Sequence, residues 1–216
     1  MSNKPPVSIT IKTVGFDEVE KALGEFKNKA PSVLYNIIKR VATNVNKNIS
    51  KYTRKRYVIK TQDIKKTLKI KKPSKTDLSA VIQSNGAPLS LTKFKITSSG
   101  GLNPISMKGI PKEGDKNYPG RARYKVRVLR ASNLTKKEHS FMQRMRNGHL
   151  ALFIRKKYVK AVFGKQAQKI KELHGPSVPQ MISNDEVMNS INRDAQETYE
   201  KRIEHEIKRI LNRYGT

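Results

Sequence analysis

The side chains that could carry out chemistry are few and lie far apart in the sequence. There is no cysteine, so neither a thiolate nucleophile nor a thiolate metal site can form. The phosphate-binding loop, the dinucleotide glycine motif, His-Glu-x-x-His and Gly-x-Ser-x-Gly are all missing. Four histidines occur without ligand spacing, namely His139, His149, His174 and His205. We therefore expect no catalytic residue, no metal and no cofactor.

Carboxylates are scarce in the central part of the chain. Residues 31–171 contain five of them, which are Asp63, Asp77, Glu113, Asp115 and Glu138. General acid and base catalysis depends on a pair of positioned ionisable groups, and this region offers little material for one. The sequence predicts a protein that is not an enzyme.

The same central region carries nearly all of the positive charge. The formal net charge is +29, and residues 31–171 hold 35 basic side chains against five acidic ones, whereas both ends are almost neutral. A charge of this size indicates an anionic partner. Lys and Arg bind phosphates through counterion release without reading sequence, and few aromatic residues are present to stack unpaired bases. Double-stranded DNA backbone is the favoured nucleic-acid partner.

The chain offers no signal for a membrane or for secretion. Its longest uninterrupted apolar run covers residues 150–154, far fewer than the 20 or so residues of a spanning helix. The first residues lack the apolar region of a signal peptide. We expect no membrane partner.

Hydrophobic periodicity predicts an α+β fold. Residues 7–14 alternate as a strand does, residues 16–29 have the spacing of a short helix, and further strands are predicted near 68–70, 77–82, 89–96 and 124–129. We expect one domain over 1–216 with a mostly antiparallel sheet of five to six strands. Two N-terminal helices and one long C-terminal helix would pack on it. Residues 98–120 contain five glycines and three prolines and predict an inserted loop or hairpin.

The second predicted helix, which starts near Pro31, has one apolar face and one basic face. At about 100° per residue its basic side chains fall within about 60° of one another. We call this set the basic ridge, and it comprises Arg40, Lys47, Lys51 and Arg54. Arg56 follows in the basic run at residues 54–57 and completes the candidates for contact with the DNA backbone. A solvated helix face is the alternative, although no acidic residue lies between Pro31 and Gln62.

Three predictions concern the later part of the chain. Residues 134–145 are predicted to be helical, and residues 148–155 and 158–163 to form a hairpin that turns at Lys156 and Lys157. The prolines of residues 175–179 argue against a regular helix there. A helix over 183–214 would begin with a capping box from Ser183 to Glu186. Its apolar row, spaced by four, drifts around the helix, so the helix either wraps its own domain or forms a subunit interface.

Two motifs near the C-terminus resemble a known family. The first motif comprises Phe141, Gly148, His149, Phe153 and Arg155. The second and more specific motif comprises Leu173, Gly175, Pro176, Ser177 and Pro179. Together they make the chain similar to the phage minor tail protein Z family. From the residues alone, the second motif has two interpretations. It is a rigid turn that leads into the final helix, which we favour, or a docking segment at an interface.

The resemblance implies a structural virion protein that is assembled in the host cytoplasm. Members complete the head-proximal end of the tail. The implied assembly is a homo-oligomeric ring, with a hexamer as the favoured form, through which DNA passes or at which its end rests. Its implied neighbours are the tail terminator or tail tube protein and the head-tail connector. The alternative that the composition supports is a stand-alone basic protein that binds DNA or RNA.

Overall fold

The computed structural model of the chain describes residues 6–12, 16–74, 76–98, 124–160 and 166–214, with side chains at 156–160 and 166–168 left out of the description. The chain divides into two compact units. The first comprises Met1–Arg54, Thr61–Ala87 and Val178–Thr216, and the second comprises Lys55–Lys60 and Pro88–Ser177. Except for Ser98, the predicted insertion at 98–120 lies outside the described residues, so it and the single domain over 1–216 stay predictions.

Helices dominate the first unit. Helix α1 spans Phe16–Leu23 and is followed by a 3-10 segment over Gly24–Lys29, in which Gly24 has a φ of 54° that favours glycine. Helix α2 spans Ala30–Arg56 and helix α3 spans Thr61–Lys65. The predicted start of the second helix is thus confirmed within one residue. The apolar face of α2 is fully buried over its first five turns, at Val33, Leu34, Ile37, Ile38, Val41, Val45 and Ile49.

A three-stranded antiparallel sheet completes the core of this unit. Strand β1 spans Val7–Lys12, β2 spans Leu68–Lys71 and β3 spans Ser79–Ser84, in the order β1-β3-β2. Ile38 and Ala42 of α2 pack against Ala80 of the central strand. The alternating strand pattern places one face of the sheet under the apolar stripe of the long helix.

The chain returns to the first unit through two helices. Helix α4 spans Val178–Ile182 and helix α5 spans Asp185–Tyr214. The prediction that the prolines prevent a helix was wrong at Pro179, because a proline fits the first turn, where its missing N–H costs no bond. The Ser183 capping box also does not form. The Ser183 hydroxyl donates to the carbonyl of Gln180 at 3.2 Å instead, and α5 begins at Asp185.

The second unit contains two more antiparallel sheets. Strands β4 (Lys95–Ser98), β5 (Tyr124–Arg127) and β6 (Thr135–Lys137) form one, in that order. The other contains β7 (Ser140–Arg144), β8 (Leu150–Lys160) and β9 (Gln166–Glu172), also in sequence order. The α+β class is confirmed, but the described residues form nine strands in three sheets of three, and not one sheet of five to six.

Two local predictions in this unit were wrong. Residues 134–145 are not helical, because they form β6 and β7, and the spacing of Phe141 and Met145 misled us. It is Met142 that is buried, while Met145 is 37% exposed. The predicted turn at Lys156 and Lys157 is also absent, since β8 continues to Lys160 with an irregularity in its register between Arg155 and Tyr158.

Candidate functional site

The basic ridge is exposed on the solvent side of α2. Arg40, Lys47, Lys51 and Arg54 are all exposed, as the helical spacing predicts. Arg40 and Lys47 make no ion pair or hydrogen bond with another described side chain. Because a cation without an acidic neighbour keeps its full field, these two side chains are the part of the ridge best able to attract an anion.

Lys51 belongs in part to a different arrangement, a polar cluster centred on Asp194 of α5. Its ammonium lies 3.7 Å from a carboxylate oxygen of Asp194 and 4.8 Å from the centre of the Tyr52 ring. Tyr52 donates its hydroxyl to the same carboxylate, and the Asn48 amide donates to it at 3.2 Å. Asn48 also donates to Asn44 at 2.6 Å. We refer to these five residues as the Asp194 cluster.

The Asp194 cluster fastens α5 to α2. Asn48 is 6% exposed and Tyr52 is 8% exposed, so their polar groups need partners inside the protein, and Asp194 supplies them. A carboxylate that accepts several hydrogen bonds holds a fixed geometry between two helices. Asp194 was not among the residues predicted from the sequence. The available signal was the pair Asn44 and Asn48, spaced by four beside the apolar stripe, which indicates a polar partner.

Arg56 does not share the site of the other basic candidates. It is half-buried, and its carbonyl accepts a hydrogen bond from the N–H of Arg130 at 2.9 Å. The adjacent residue Tyr57 pairs with Leu129 in an antiparallel bridge, and the N–H of Val58 donates to the carbonyl of Val128 at 2.8 Å. The residues at the end of α2 and just after it therefore pair with the segment that follows β5. Both segments belong to the second unit.

The first family motif lies on β7 and β8. Phe141 and Phe153 face each other in register, with ring centres 6.0 Å apart. The guanidinium of Arg155 lies 5.0 Å from the centre of the Phe141 ring, a cation–π geometry. Phe153 is buried and Arg155 is exposed. These three residues stabilise one face of the β7-β8 pair by direct contact.

Gly148 and His149 form the turn between the same two strands. Gly148 has a φ of 80°, and its carbonyl accepts a hydrogen bond from Arg144 at 2.9 Å. The His149 ring then reaches Glu172 of β9, with 3.0 Å between Nε2 and a carboxylate oxygen. The ring of His174 lies 3.6 Å from the other oxygen of Glu172. Glu172 thus joins the turn to the outer strand, and the sequence analysis gave no role to it.

The second motif continues from β9. The N–H of Leu173 donates to the carbonyl of Leu152 at 2.8 Å, and the N–H of Gly175 donates to that of Leu89 at 2.7 Å. A Cβ at Gly175 would lie 2.6 Å from the Phe94 ring, so only glycine fits. Pro176 is half-buried, and Ser177 and Pro179 are buried. The contacts of this motif within the chain are those of a close-packed turn, and a docking role for it stays a prediction.

The comparison with protein families covers nearly the whole chain. Residues 14–216 match the family described as prophage minor tail protein Z (GPZ). The chain belongs to this family. No curated protein and no solved structure matches it. The resemblance that the two motifs indicated is therefore confirmed over a much longer stretch than the motifs themselves.

Membership identifies the molecule as a phage minor tail protein, which is a structural component of the virion and interacts with other virion proteins. Within the part of the chain that the structure describes, His, Asp and Glu do not form a group of three or more that could hold a metal ion. None of the described helices has the length and apolar character needed to cross a membrane.

The apolar row spaced by four on the last helix of this minor tail protein turns away from the core along the helix, while Glu206 and Ile210 near its end stay buried. Val187 and Ile191 are buried, Ile203 and Ile207 are half-buried, and Leu211 is 38% exposed. These exposures show the predicted drift of the apolar row, whose residues are spaced by four, around the helix. At the C-terminal end, the Tyr214 ring lies 5.9 Å from that of Phe26 and is still 41% exposed.

The exposed side of α5 carries charges of both signs. Glu197, Glu200 and Glu204 are spaced by three and four, so they share one side of the helix, and all three are exposed. Glu197 and Glu204 make no ion pair with another described side chain. Arg193, Lys201 and Lys208 are exposed on the same side, so this surface of α5 is mixed in charge, whereas the basic ridge on α2 carries cations alone.

Proposed function

We propose that this minor tail protein completes the head-proximal end of the tail as a homo-oligomeric ring. Its neighbours would be the tail terminator or tail tube protein on one side and the head-tail connector on the other. DNA would pass through the ring or rest at it. Family membership supports a place in the tail, and the surfaces of the first unit support the contacts between copies and with DNA.

The observation that carries the ring is the exposure of the last turns of α5. A helix that wraps only its own domain keeps its apolar row on the core. Here Leu211 and Tyr214, at 38% and 41% exposure, leave apolar surface at the end of a 30-residue helix. Apolar and aromatic side chains at a surface are typical of the centre of a subunit interface. We assign this end of α5 to the contact with the next copy.

The basic ridge would line the bore. Arg40 and Lys47 are seven residues apart, two turns along one straight helix, so their charges lie about 10 Å from each other. Phosphates of a duplex attract such cations without regard to base sequence. This suits a protein through which DNA of any sequence passes. Lys51 would contribute less because Asp194 offsets its charge.

Electron microscopy of virions tests the proposed position. The tag should be attached to the N-terminus, because the C-terminus follows the α5 end that the proposal places in an interface. Density of the tag in a ring at the head-proximal end of the tail is the expected result. A tag elsewhere in the tail would contradict the position, and a protein absent from virions but bound to host nucleic acid would support a stand-alone binding role.

The number of copies needs a separate measurement. We propose six, and symmetry analysis of the same images, or native mass spectrometry of purified tails, would count them. Rings with another number of subunits would correct the stoichiometry and leave the position unaffected, whereas single copies in finished tails would contradict the ring itself.

A further inference from the structure

The outer face of the β4-β5-β6 sheet in the second unit carries a concentration of positive charge that belongs to neither family motif. Ile96, Tyr124 and Val126 are buried on the other face of this sheet. Strand alternation puts every second side chain of the register on the outer face. They are Lys95, Thr97, Lys125, Arg127 and Lys136. Apart from one threonine, every one of them is a cation.

The register brings like charges directly opposite each other. Lys95 faces Arg127 across the β4-β5 pair, and Lys125 faces Lys136 across the β5-β6 pair. Directly opposite side chains have Cβ atoms about 5 Å apart, and like charges at this distance destabilise a sheet. Two such pairs on three short strands disfavour the fold, and the repulsion would be relieved by an anion lying across the face.

The sheet itself offers little neutralisation. Lys136 forms an ion pair of 3.0 Å with Glu138, in which both side chains are largely exposed. Lys95 and Lys125 make no ion pair or hydrogen bond with another described side chain. The Nε of Arg127 is shielded from solvent and has no hydrogen-bond partner among the described residues. In the described part of the chain, Lys95 and Lys125 are thus the cations without an anionic partner on this surface of roughly 7 by 10 Å, a size that follows from strand geometry.

We propose that this face, which we call the basic sheet face, binds the phosphodiester backbone of double-stranded DNA. A protein partner would be expected to meet apolar or aromatic anchors at the centre of its interface. Apart from the Glu138 carboxylate that pairs with Lys136, this face offers cations and one hydroxyl, so it suits a ligand whose surface consists of closely spaced single charges. It lies in the second unit, so it is a site separate from the basic ridge of α2 and does not depend on the ring.

The test is salt-dependent binding of a fluorescent duplex of arbitrary sequence, measured by anisotropy on the full-length protein. The Lys125→Gln/Arg127→Gln variant removes one member of each like-charge pair. We expect its slope of log Kd against log salt to fall by about 2, at about 0.9 per lost phosphate contact, with affinity weakened at least tenfold near 0.1 M salt. The matched control is Lys201→Gln/Lys208→Gln on α5, which removes the same positive charge from a surface that carries charges of both signs.

Thermal unfolding of the same proteins separates binding from folding. Because the substitutions relieve like-charge repulsion, the sheet variant should unfold at or above the wild-type temperature. Lys125→Arg keeps the positive charge at residue 125, so its slope of log Kd against log salt should equal that of the wild-type protein. Wild-type affinity and slope in the sheet variant would overturn the proposal. If such a variant instead failed to enter tails, the face would bind an acidic virion protein and the DNA assignment would be wrong.

This experiment is independent of the proposed function. Binding of a duplex in solution requires neither a ring nor a tail, so a protein located elsewhere in the virion could still pass the test. Conversely, if only variants of the basic ridge lost DNA binding, the proposed ring and its bore would stand. The basic sheet face would then be excluded as a DNA site.

Discussion

Helices α2 and α5 have similar lengths, 27 and 30 residues, and pack against each other, yet they bury very different fractions of their surface. Thirteen residues of α2 are buried, against four of α5. Between Ala30 and Arg56, α2 has no acidic residue, whereas the exposed side of α5 carries Glu197, Glu200 and Glu204. The first helix organises a core and presents cations, and the second leaves much of its surface for other partners.

The difference follows from the spacing of apolar residues. Alternating spacings of three and four keep the apolar stripe of α2 on one side, because their mean is close to 3.6 residues per turn. A constant spacing of four advances about 40° beyond a full turn at each step. The apolar row of α5 therefore leaves the core after Ile191, and later side chains such as Leu211 reach solvent. Helix α2 is held by packing along its length, whereas α5 is held by four buried residues, two near each end, and by the Asp194 cluster.

The largest expected effect is on the core face of α2. Ile49 is fully buried, so Ile49→Ala should lower the free energy of unfolding by about 2–5 kcal/mol through lost contacts and the cavity left behind. The matched change Ile203→Ala in the half-buried part of α5 should cost less than about 2 kcal/mol. Urea denaturation measures both, and equal losses would contradict the difference between the helices.

A smaller effect is expected at the Asp194 cluster. Asp194→Ala leaves the buried Tyr52 hydroxyl and Asn48 amide without their acceptor, which should cost about 1–3 kcal/mol. Glu197→Ala, on the exposed side of the same helix, should change the free energy of unfolding by less than about 0.5 kcal/mol. A double-mutant cycle with Tyr52→Phe should give a coupling of about 0.5–3 kcal/mol. No coupling would mean that the cluster does not join the helices.

The end of α5 should matter for association more than for folding. Leu211→Asp places a charge in the proposed interface, so we expect oligomers to be lost in sedimentation velocity experiments, with unfolding changed by about 0.5 kcal/mol or less. Asn192→Asp is the control, because it adds the same charge at an exposed position of α5 far from the end assigned to the interface. If both variants still assemble, the interface lies elsewhere on the protein.

The smallest effect on stability is expected on the basic ridge. Arg40→Gln/Lys47→Gln should leave the free energy of unfolding within about 0.5 kcal/mol of wild type, since both side chains are exposed and have no ion-pair partner among the residues that the structure describes. The salt slope of duplex DNA binding should nevertheless fall by about 2. A marked loss of stability would show that the ridge is part of the packing, and an unchanged slope would exclude it as a DNA surface.

Sequence-based prediction was most successful where one strong period covers a long segment. The spacing of apolar residues in α2 identified the helix, its buried face and its basic side, because helical geometry alone decides them. Sequence-based prediction failed at residues 134–145, where two apolar residues four apart indicated a helix. The pairing of Phe141 with Phe153 on a neighbouring strand decides that segment, and no local pattern contains that information.

The candidate sites also divide into features that local sequence predicts and features that it does not. Charge composition and helical spacing determined that Arg40, Lys47, Lys51 and Arg54 share one exposed side, and the two motifs indicated the family. Only the tertiary structure placed Asp194 beside Lys51 and Tyr52 and set Lys95 opposite Arg127. Contacts between residues far apart in sequence depend on strand register and helix packing, which the whole chain fixes together, whereas the face of a single helix follows from its local geometry.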